Sequence, residues 1–175
     1  MEKNYKEYLQ DITTFIFDVD GVLTDGTIMV TTGGEMYRSM HTKDGYAMKT
    51  AIDAGYKVCI ISGGNNEGVR KRLAGLGITD IYLGAHNKME IMTTYLKENG
   101  ISLNQVLYMG DDIPDLYVMQ EVVLPCCPQD AVPEIKSAAK YVSHKKGGKG
   151  CVRDVIEQVL KVQENWTKAA NAKYD

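Results

Sequence analysis

The chain has 175 residues, of which 44% are hydrophobic and 25% charged, a composition typical of one folded domain with a substantial core. Its net charge of −3 argues against a general electrostatic attraction to nucleic acid or to anionic membranes. No apolar run approaches the roughly 20 residues of a membrane-spanning helix, so we expect neither nucleic acid nor a membrane as a partner.

The N-terminal segment and the cysteines bear on the cellular compartment. The first residues, MEKNYKEYLQDITT, are charged throughout and lack the apolar core of a secretory signal. The four cysteines are Cys59, Cys126, Cys127 and Cys151, and no two of them form a CxxC pair. Reduced thiols of this kind are typical of the cytoplasm. We therefore predict a cytoplasmic protein.

The first predicted strand ends in two carboxylates. The apolar run Thr14–Phe17 is typical of a buried strand, and Asp18 and Asp20 follow it directly. Alternate residues of a strand point to the same side, so the two carboxylates can converge, and a hard cation such as Mg²⁺ would relieve their repulsion. The alternative is an acidic surface turn, because Asp and Gly are common turn residues.

The rest of the chain alternates β-prone runs with amphipathic stretches. A β-hairpin is predicted over residues 27–40, with strands at 27–30 and 35–40. Further strands are predicted at 57–61, 80–83, 105–109, 122–124 and 141–142. Helices are predicted at 44–54, 66–76, 88–99, 113–119, 132–139 and 151–162.

This alternation predicts an α/β fold with a doubly wound, Rossmann-like parallel sheet and helices on both faces. We find no linker that would divide the chain, so residues 1–175 are predicted to form a single domain. Residues 147–150 contain three glycines and are predicted to be a flexible break before the terminal helix 151–162. Residues 167–175 lack apolar periodicity and are expected to fray.

Four polar sites follow strands or open helices, and together they match one kind of chemistry. They are Asp18 with Asp20, Ser62, Lys88, and Asp111 with Asp112. Each has a plain alternative as a turn, a solvated lysine or a helix cap. Jointly they supply what phosphoryl transfer through an aspartyl-phosphate needs: a carboxylate nucleophile, a cation, a second carboxylate for proton transfer, and donors for the phosphate oxygens.

The motifs DVDGVLTD, IISGG, the lone Lys88 and GDDIPD resemble the four signature motifs of the haloacid dehalogenase superfamily of phosphohydrolases. The resemblance implies that Asp18 is the nucleophile and Asp20 the general acid and base. It also implies that the remaining motif residues bind phosphate (Ser62, Gly63, Lys88), bind Mg²⁺ (Asp18, the Asp20 backbone carbonyl, Asp111) or support the site (Asp112, Asp115).

The spacing of the motifs leaves no room for a cap domain. Only 41 residues separate Asp20 from Ser62, and 25 separate Ser62 from Lys88. Capless members of the superfamily typically act on large substrates or use a neighbouring subunit as a lid. The hairpin 27–40 is apolar enough to pack against a partner chain, although it could equally cover the edge of its own sheet.

Four further segments resemble the family of phosphatases that act on 3-deoxy-D-manno-octulosonate 8-phosphate (KDO8P) in lipopolysaccharide synthesis. They are LTDG at 23–26, KDGYA at 43–47, GDDIPD at 110–115 and GGKGCVRD at 147–154. The resemblance implies a homotetramer with shared active sites and a sugar-acid phosphate as the small-molecule substrate. It also implies four basic substrate-binding residues: Lys43, Arg72, Lys149 and Arg153.

Two departures from the family pattern keep other substrates open. Gly64 stands where an arginine is frequent, and Lys43 also replaces a frequent arginine, whose bidentate contact a lysine cannot reproduce. A phosphatase of a nonulosonic (KDN- or sialic acid-type) 9-phosphate is therefore an alternative. A phospho-receiver-like signalling module is a more distant one, because the receiver motifs occur in a different order along the chain.

Overall fold

A six-stranded parallel sheet forms the centre of the protein, which we describe from a computed structural model over residues 4–166. The strands in spatial order are β5 (Asp80–Leu83), β4 (Lys57–Ser62), β1 (Thr14–Phe17), β6 (Val106–Met109), β7 (Leu124–Cys127) and β8 (Tyr141–Val142). Every pairing in this sheet is parallel. The chain enters at the middle of the sheet, builds one half outward to β5 and then returns to build the other. The predicted doubly wound α/β fold is confirmed.

Helices cover both faces of the sheet and create two apolar cores. Along β1, Phe15 and Phe17 point into one core and Ile16 into the other, as the alternation of side chains along a strand requires. Helices α1 (Thr42–Asp53), α2 (Glu67–Gly75) and α6 (Cys151–Val162) supply the first core. Helices α3 (Lys88–Asn99), α4 (Leu116–Glu121) and α5 (Pro133–Ala138) supply the second. Burial on both faces explains why the central strands are almost wholly apolar.

The predicted hairpin is present, with shorter strands than expected. Strands β2 (Met29–Val30) and β3 (Met36–Tyr37) pair antiparallel and form a separate two-stranded sheet. Four of its apolar side chains are exposed, with Met29 68% and Val30 65% accessible. The hairpin therefore pairs with neither edge strand of the six-stranded sheet and presents an apolar surface to solvent.

Two segments differ from the sequence-based prediction. The strand expected at 122–124 lies at Leu124–Cys127 instead. The prediction ends before Pro125 because a proline within a run usually argues against a strand. Pro125 is tolerated because its carbonyl still accepts from the Lys140 amide on the β8 side. The missing N–H breaks no pairing in that ladder, since β8 is paired only at Tyr141 and Val142. The helix expected at 113–119 is split into a 3₁₀ turn, Ile113–Asp115, and helix α4.

The glycine-rich segment 147–150 packs tightly against the loop that follows β1. The Gly148 amide donates to the Val22 carbonyl over 2.9 Å, and a Cβ on Gly147 would lie 1.9 Å from the Gly21 carbonyl oxygen. Close backbone approach is therefore sufficient reason for these glycines, and the flexibility expected for the segment stays a prediction. The expected fraying of 167–175 lies outside the described residues, and the single-domain organisation of 1–175 stays a prediction. Within residues 4–166, no helix is both long and apolar enough to cross a membrane.

Candidate active site

The loops after β1, β4 and β6 meet at the carboxyl edge of the sheet around a cleft of about 750 Å³. Parallel strands place their carboxyl ends at the same edge, and the loops there form the ligand crevice of such sheets. The residues predicted to be catalytic, phosphate-binding, metal-binding or supporting all line this cleft: Asp18, Asp20, Ser62, Gly63, Lys88, Asp111, Asp112 and Asp115. The structure thus brings together four motifs that are widely separated along the chain.

Asp18 directly follows the central strand β1 and is buried. Its Oδ1 accepts from the Val19 amide over 2.7 Å, and its Oδ2 lies 3.1 Å from Lys88 Nζ. Burial and, after it, the nearby Asp115 charge raise the pKa of Asp18 to about 6 against the opposing effect of Lys88. A buried carboxylate held in one orientation, with a cation beside it, can act as a nucleophile on a phosphate.

Lys88 begins helix α3 and is buried between two carboxylates. Asn87 caps the helix by accepting from the Glu90 amide, which fixes the direction in which Lys88 leaves the backbone. Its Nζ lies 3.1 Å from Asp18 Oδ2 and 2.7 Å from Asp115 Oδ1. Burial alone would lower the pKa of Lys88, but the two carboxylates outweigh it and raise the pKa above its ordinary value. The lysine therefore stays positively charged in the cleft.

Asp115 organises the edge through both of its oxygens. Oδ1 accepts from Lys88 and from the Tyr108 hydroxyl, the latter over 2.6 Å, and Oδ2 accepts from the Asp111 amide over 3.2 Å. Gly110 makes room for this arrangement, because a Cβ there would lie 2.3 Å from the Asp115 Cβ. Tyr108 was not singled out in the sequence. The available signal was a tyrosine inside a fully buried strand, whose hydroxyl must find a partner.

Three carboxylates of the cleft fit a divalent cation. Oxygens of Asp18, Asp111 and Asp115 all lie within 4.8 Å of one another. Burial and, after it, the neighbouring acidic charges together raise the pKa of Asp111 to about 7, although Lys88 opposes them. At Gly21 the backbone has φ +88°, and a Cβ there would lie 1.9 Å from Asp111 Oδ2. Gly21 thus leaves room for the Asp111 carboxylate. A hard cation, which prefers oxygen ligands, would relieve the repulsion among these closely spaced carboxylates.

Asp20 is held by a residue that the sequence did not reveal. Arg38, just after β3 of the hairpin, donates from Nε to Asp20 Oδ1 over 2.7 Å and from Nη2 to Oδ2 over 3.1 Å. The Thr24 hydroxyl also donates to Oδ1, over 3.4 Å. Arg38 follows Asp20 by 18 positions and belongs to no recognisable motif, so only the return of the hairpin towards the sheet brings the two together.

Ser62 ends β4 and is buried, and its carbonyl and hydroxyl accept from the loops after β5 and β4, respectively. Its carbonyl accepts from the Ala85 amide over 2.9 Å, and its hydroxyl accepts from the Gly64 amide over 3.4 Å. Gly64 lies close to the acidic pair, since a Cβ there would be 3.2 Å from Asp20 Oδ2. The Ser62 hydroxyl, the glycine backbone that follows it and the Lys88 ammonium therefore line the cleft beside Asp18, where a phosphate can be held.

The four basic residues predicted to bind substrate lie away from this cleft within one chain. Lys43, Lys149 and Arg153 line a separate groove of about 600 Å³, and Arg72 lines another, of about 630 Å³, between the hairpin and helix α2. Arg153 is already engaged: its Nε donates to Glu157 over 2.9 Å, and its guanidinium stacks over Trp166. The structure therefore brings three of the four together, apart from Asp18.

Comparisons with known proteins point to one group of hydrolases. A family model described as haloacid dehalogenase-like hydrolase matches residues 74–156. The KDO8P phosphatase KdsC of Escherichia coli K12 is 38% identical over 154 residues, covering 88% of this chain and 82% of the relative. The corresponding phosphatase of Haemophilus influenzae is 34% identical, covering 90% of this chain and 88% of the relative.

Solved structures agree. The KDO8P phosphatase of Yersinia pestis has a TM-score of 0.92 and 33% identity, covering 96% of this chain and 91% of that one. The KDO8P phosphatase of Moraxella catarrhalis, solved with a magnesium ion, a phosphate ion and KDO, has a TM-score of 0.89 and 31% identity, with 93% of each chain covered. The likeness thus extends over nearly the full length of these proteins.

Proposed function

This chain belongs to the haloacid dehalogenase-like hydrolase family, and from that premise we propose that it is a magnesium-dependent phosphatase of a sugar-acid phosphate. The substrate is KDO8P, which the enzyme hydrolyses to KDO and inorganic phosphate, and the names of its relatives support this reaction. The place of the reaction in lipopolysaccharide synthesis follows from the resemblance of the sequence motifs. The observation that carries this proposal is the meeting of Asp18, Lys88 and Asp111 in one cleft at the carboxyl edge of the sheet.

The reaction proceeds in two displacements on phosphorus. An oxygen of Asp18 attacks phosphorus and forms an aspartyl-phosphate, while the bond from phosphorus to the sugar oxygen breaks and its electron pair leaves with that oxygen. Asp20 donates a proton to the departing alkoxide. Asp20 then removes a proton from water, whose oxygen attacks phosphorus, and the bond to Asp18 breaks to release phosphate and restore the carboxylate.

The other residues of the cleft bind the phosphate oxygens and offset the negative charge of the site. Lys88, the Ser62 hydroxyl and the Gly63 amide hold the phosphate oxygens. Asp18, Asp111 and the Asp20 backbone carbonyl would hold Mg²⁺, which would supply positive charge to neutralise the nucleophile and the phosphate. Asp115 supports the site by holding Lys88 and the Asp111 amide, and Asp112 supports it by capping the turn at Ile113, whose amide donates over 2.8 Å.

A homotetramer with shared sites completes the proposal. An open cleft gives a single chain few contacts with the sugar, and the groove with Lys43, Lys149 and Arg153 and the one with Arg72 both lie away from it. We assign these four residues to the substrate carboxylate and hydroxyls, with a neighbouring subunit bringing them to the cleft. The exposed apolar hairpin supports such an interface. Four buried free thiols support the assignment to the cytoplasm.

One observation favours a second substrate. Position 64 offers the substrate no guanidinium, because it is a glycine packed closely against Asp20, whose Oδ2 would lie 3.2 Å from a Cβ there. The basic contact that is frequent at this position is therefore missing, so a nonulosonic acid 9-phosphate is the alternative substrate. The receiver-like alternative is dropped, since the chain belongs to a hydrolase family.

Steady-state hydrolysis of KDO8P and of a nonulosonate 9-phosphate, each with Mg²⁺ and with EDTA, tests the proposal. We expect faster turnover of KDO8P and no turnover in EDTA. Faster turnover of the 9-phosphate would replace the substrate, and activity that is unaffected by EDTA would refute the role of the metal. The mass of the native assembly in solution tests the tetramer, which a stable monomer would contradict.

A further inference from the structure

We infer that Arg38 is a positioning residue that holds Asp20 in place for its two proton transfers. This inference rests on the proposed function, because it gives Asp20 a partner within that mechanism. The guanidinium contacts both oxygens of the carboxylate, at 2.7 Å from Nε and 3.1 Å from Nη2. Two parallel bonds of this kind fix the plane of a carboxylate as well as its position.

The surroundings show that this contact is built into the protein. The Arg38 side chain is only 7% exposed, although it reaches a carboxylate that is 31% exposed. Thr24 braces the same carboxylate, and its hydroxyl oxygen in turn accepts from the amides of Gly21 and Gly26. A Cβ at position 64 would crowd the Asp20 carboxylate, whose Oδ2 would lie 3.2 Å away, and would contact Arg38 Nη2 at 3.5 Å. The absence of a side chain at position 64 therefore leaves room for the ion pair of Arg38 and Asp20.

The position of Arg38 depends on the hairpin. Strand β3, which precedes it, contains two residues, and a ladder of that length is not stable alone. A second polar contact fastens the same strand to the body of the protein, because Asn66 Nδ2 donates to the Met36 carbonyl over 3.0 Å. The hairpin thus contributes directly to the catalytic edge, and the placement of Asp20 responds to where the hairpin lies.

The consequence is a loss in the proton-transfer steps when Arg38 is removed. An aspartate carboxylate rotates broadly about its last torsion unless it is held. In Arg38→Met we expect kcat for a simple alkyl phosphate, glycerol 2-phosphate, to fall about 10- to 100-fold, a part of the 10²–10⁴ that general acid–base catalysis contributes. KM should change by less than about threefold, because Lys88, Ser62 and Gly63 still hold the phosphate.

A comparison of leaving groups separates this role from a structural one. The dinitrophenolate of 2,4-dinitrophenyl phosphate departs without protonation, so formation of the aspartyl-phosphate does not need the acid. In Arg38→Met the first turnover of this substrate should therefore keep its wild-type rate, while that of glycerol 2-phosphate falls. Arg38→Lys retains the charge but cannot make two parallel hydrogen bonds to the carboxylate, so its rate on glycerol 2-phosphate should lie between those of the wild type and Arg38→Met. Arg70→Met on helix α2, a partly exposed arginine beside Glu67, is the matched control and should leave both rates unchanged.

A double-mutant cycle with Asp20→Asn completes the test. If Arg38 acts through Asp20, adding Arg38→Met to Asp20→Asn should lower kcat no further. Equal loss on both substrates, or additive losses in the double variant, would overturn the inference. So would a wild-type rate for Arg38→Met on glycerol 2-phosphate. A wild-type protein without phosphatase activity would overturn the proposed function itself, and the role of Arg38 with it.

Discussion

The ammonium of Lys88 lies 2.7 Å from the carboxylate of Asp115. The two residues come from different elements of the chain, at the start of α3 and just before α4. Asp115 also accepts from the Asp111 amide, so one buried carboxylate connects the lysine that we assign to the phosphate with the loop that we assign to the metal. The geometry of the cleft therefore depends on a residue that does not need to touch the substrate.

The Tyr108 hydroxyl stabilises this buried carboxylate. In Tyr108→Phe, Asp115 Oδ1 loses a 2.6 Å hydrogen bond, and bonds to charged groups contribute about 1.5–3 kcal/mol. We expect the free energy of unfolding in urea to fall by that amount. Tyr117→Phe, at a largely exposed tyrosine, is the matched control and should be near neutral. An unchanged midpoint in Tyr108→Phe would show that Asp115 does not need this donor.

Magnesium should stabilise the folded protein as well as activate it. At a concentration 100 times its Kd, the ion should raise stability by about 2.7 kcal/mol, a rise in Tm of about 5–10 °C for a chain of this size. Asp111→Asn should abolish the rise because it removes a ligand. Asp53→Asn, in α1 where the side chain pairs with Lys49, should retain it. Calorimetric scans with Mg²⁺ and with EDTA measure the difference, and an equal rise in Asp111→Asn would place the ion elsewhere.

Without metal, stability should fall as pH rises from about 4 to 7. The pKa of Asp18 is about 6 and that of Asp111 about 7 in the folded chain, both above the ordinary value of 3.8, so the folded state retains these protons more strongly than the unfolded state. Their contribution is complete below pH 4 and is lost as pH rises through the folded values. For Asp18 the loss is at most about 3 kcal/mol.

Denaturant titrations of wild type and Asp18→Asn in EDTA, at pH 5 and pH 7.5, measure this effect. The variant has no titrating group at position 18, so its stability should fall less than that of the wild type over the same interval. Saturating Mg²⁺ should flatten the wild-type curve, because the ion favours the ionised carboxylates. A wild type that loses no more stability than the variant would contradict the raised pKa of Asp18.

Substitutions of the two motif aspartates should stop the reaction at different points. Asp18→Asn removes the proposed nucleophile and should lower kcat by at least about 10³-fold with no covalent species. Asp20→Asn retains the nucleophile but removes the base, so an activated aryl phosphate should leave a phosphoryl group on Asp18. Intact-mass spectrometry after rapid acid quench detects that group. A phosphorylated Asp18→Asn protein would refute the covalent role of Asp18.

The packing of the glycine-rich segment should be sensitive to one methyl group. In Gly147→Ala the new Cβ would lie 1.9 Å from the Gly21 carbonyl oxygen, so the loop after β1 must move. We expect a loss of about 1–3 kcal/mol in stability and weaker Mg²⁺ binding, because Gly21 neighbours Asp111. Gly75→Ala, at an open position of α2, is the matched control and should be neutral or stabilising. Unchanged Mg²⁺ affinity in Gly147→Ala would show that the two segments are independent.

Much of the fold and the central chemistry could be predicted from the sequence, for a physical reason. Apolar runs such as Thr14–Phe17 predict buried strands, and parallel strands must end at one edge. Residues that directly follow those strands, such as Asp18 and Asp111, therefore meet without any further information. The strand at Leu124–Cys127 was displaced in the prediction because tertiary pairing accepts a proline that local preference disfavours.

Only the tertiary structure decided which residues support the motifs. Arg38 reaches Asp20 because the hairpin folds back to the sheet, and Tyr108 reaches Asp115 because the 3₁₀ turn after β6 returns that carboxylate to the end of its own strand. The Arg38 contact leaves no local pattern, since Arg38 belongs to no recognisable motif, and the buried tyrosine indicates only that its hydroxyl needs a partner. The residue types beside a strand's end determine what chemistry is possible. The packing of distant segments determines how those residues are held.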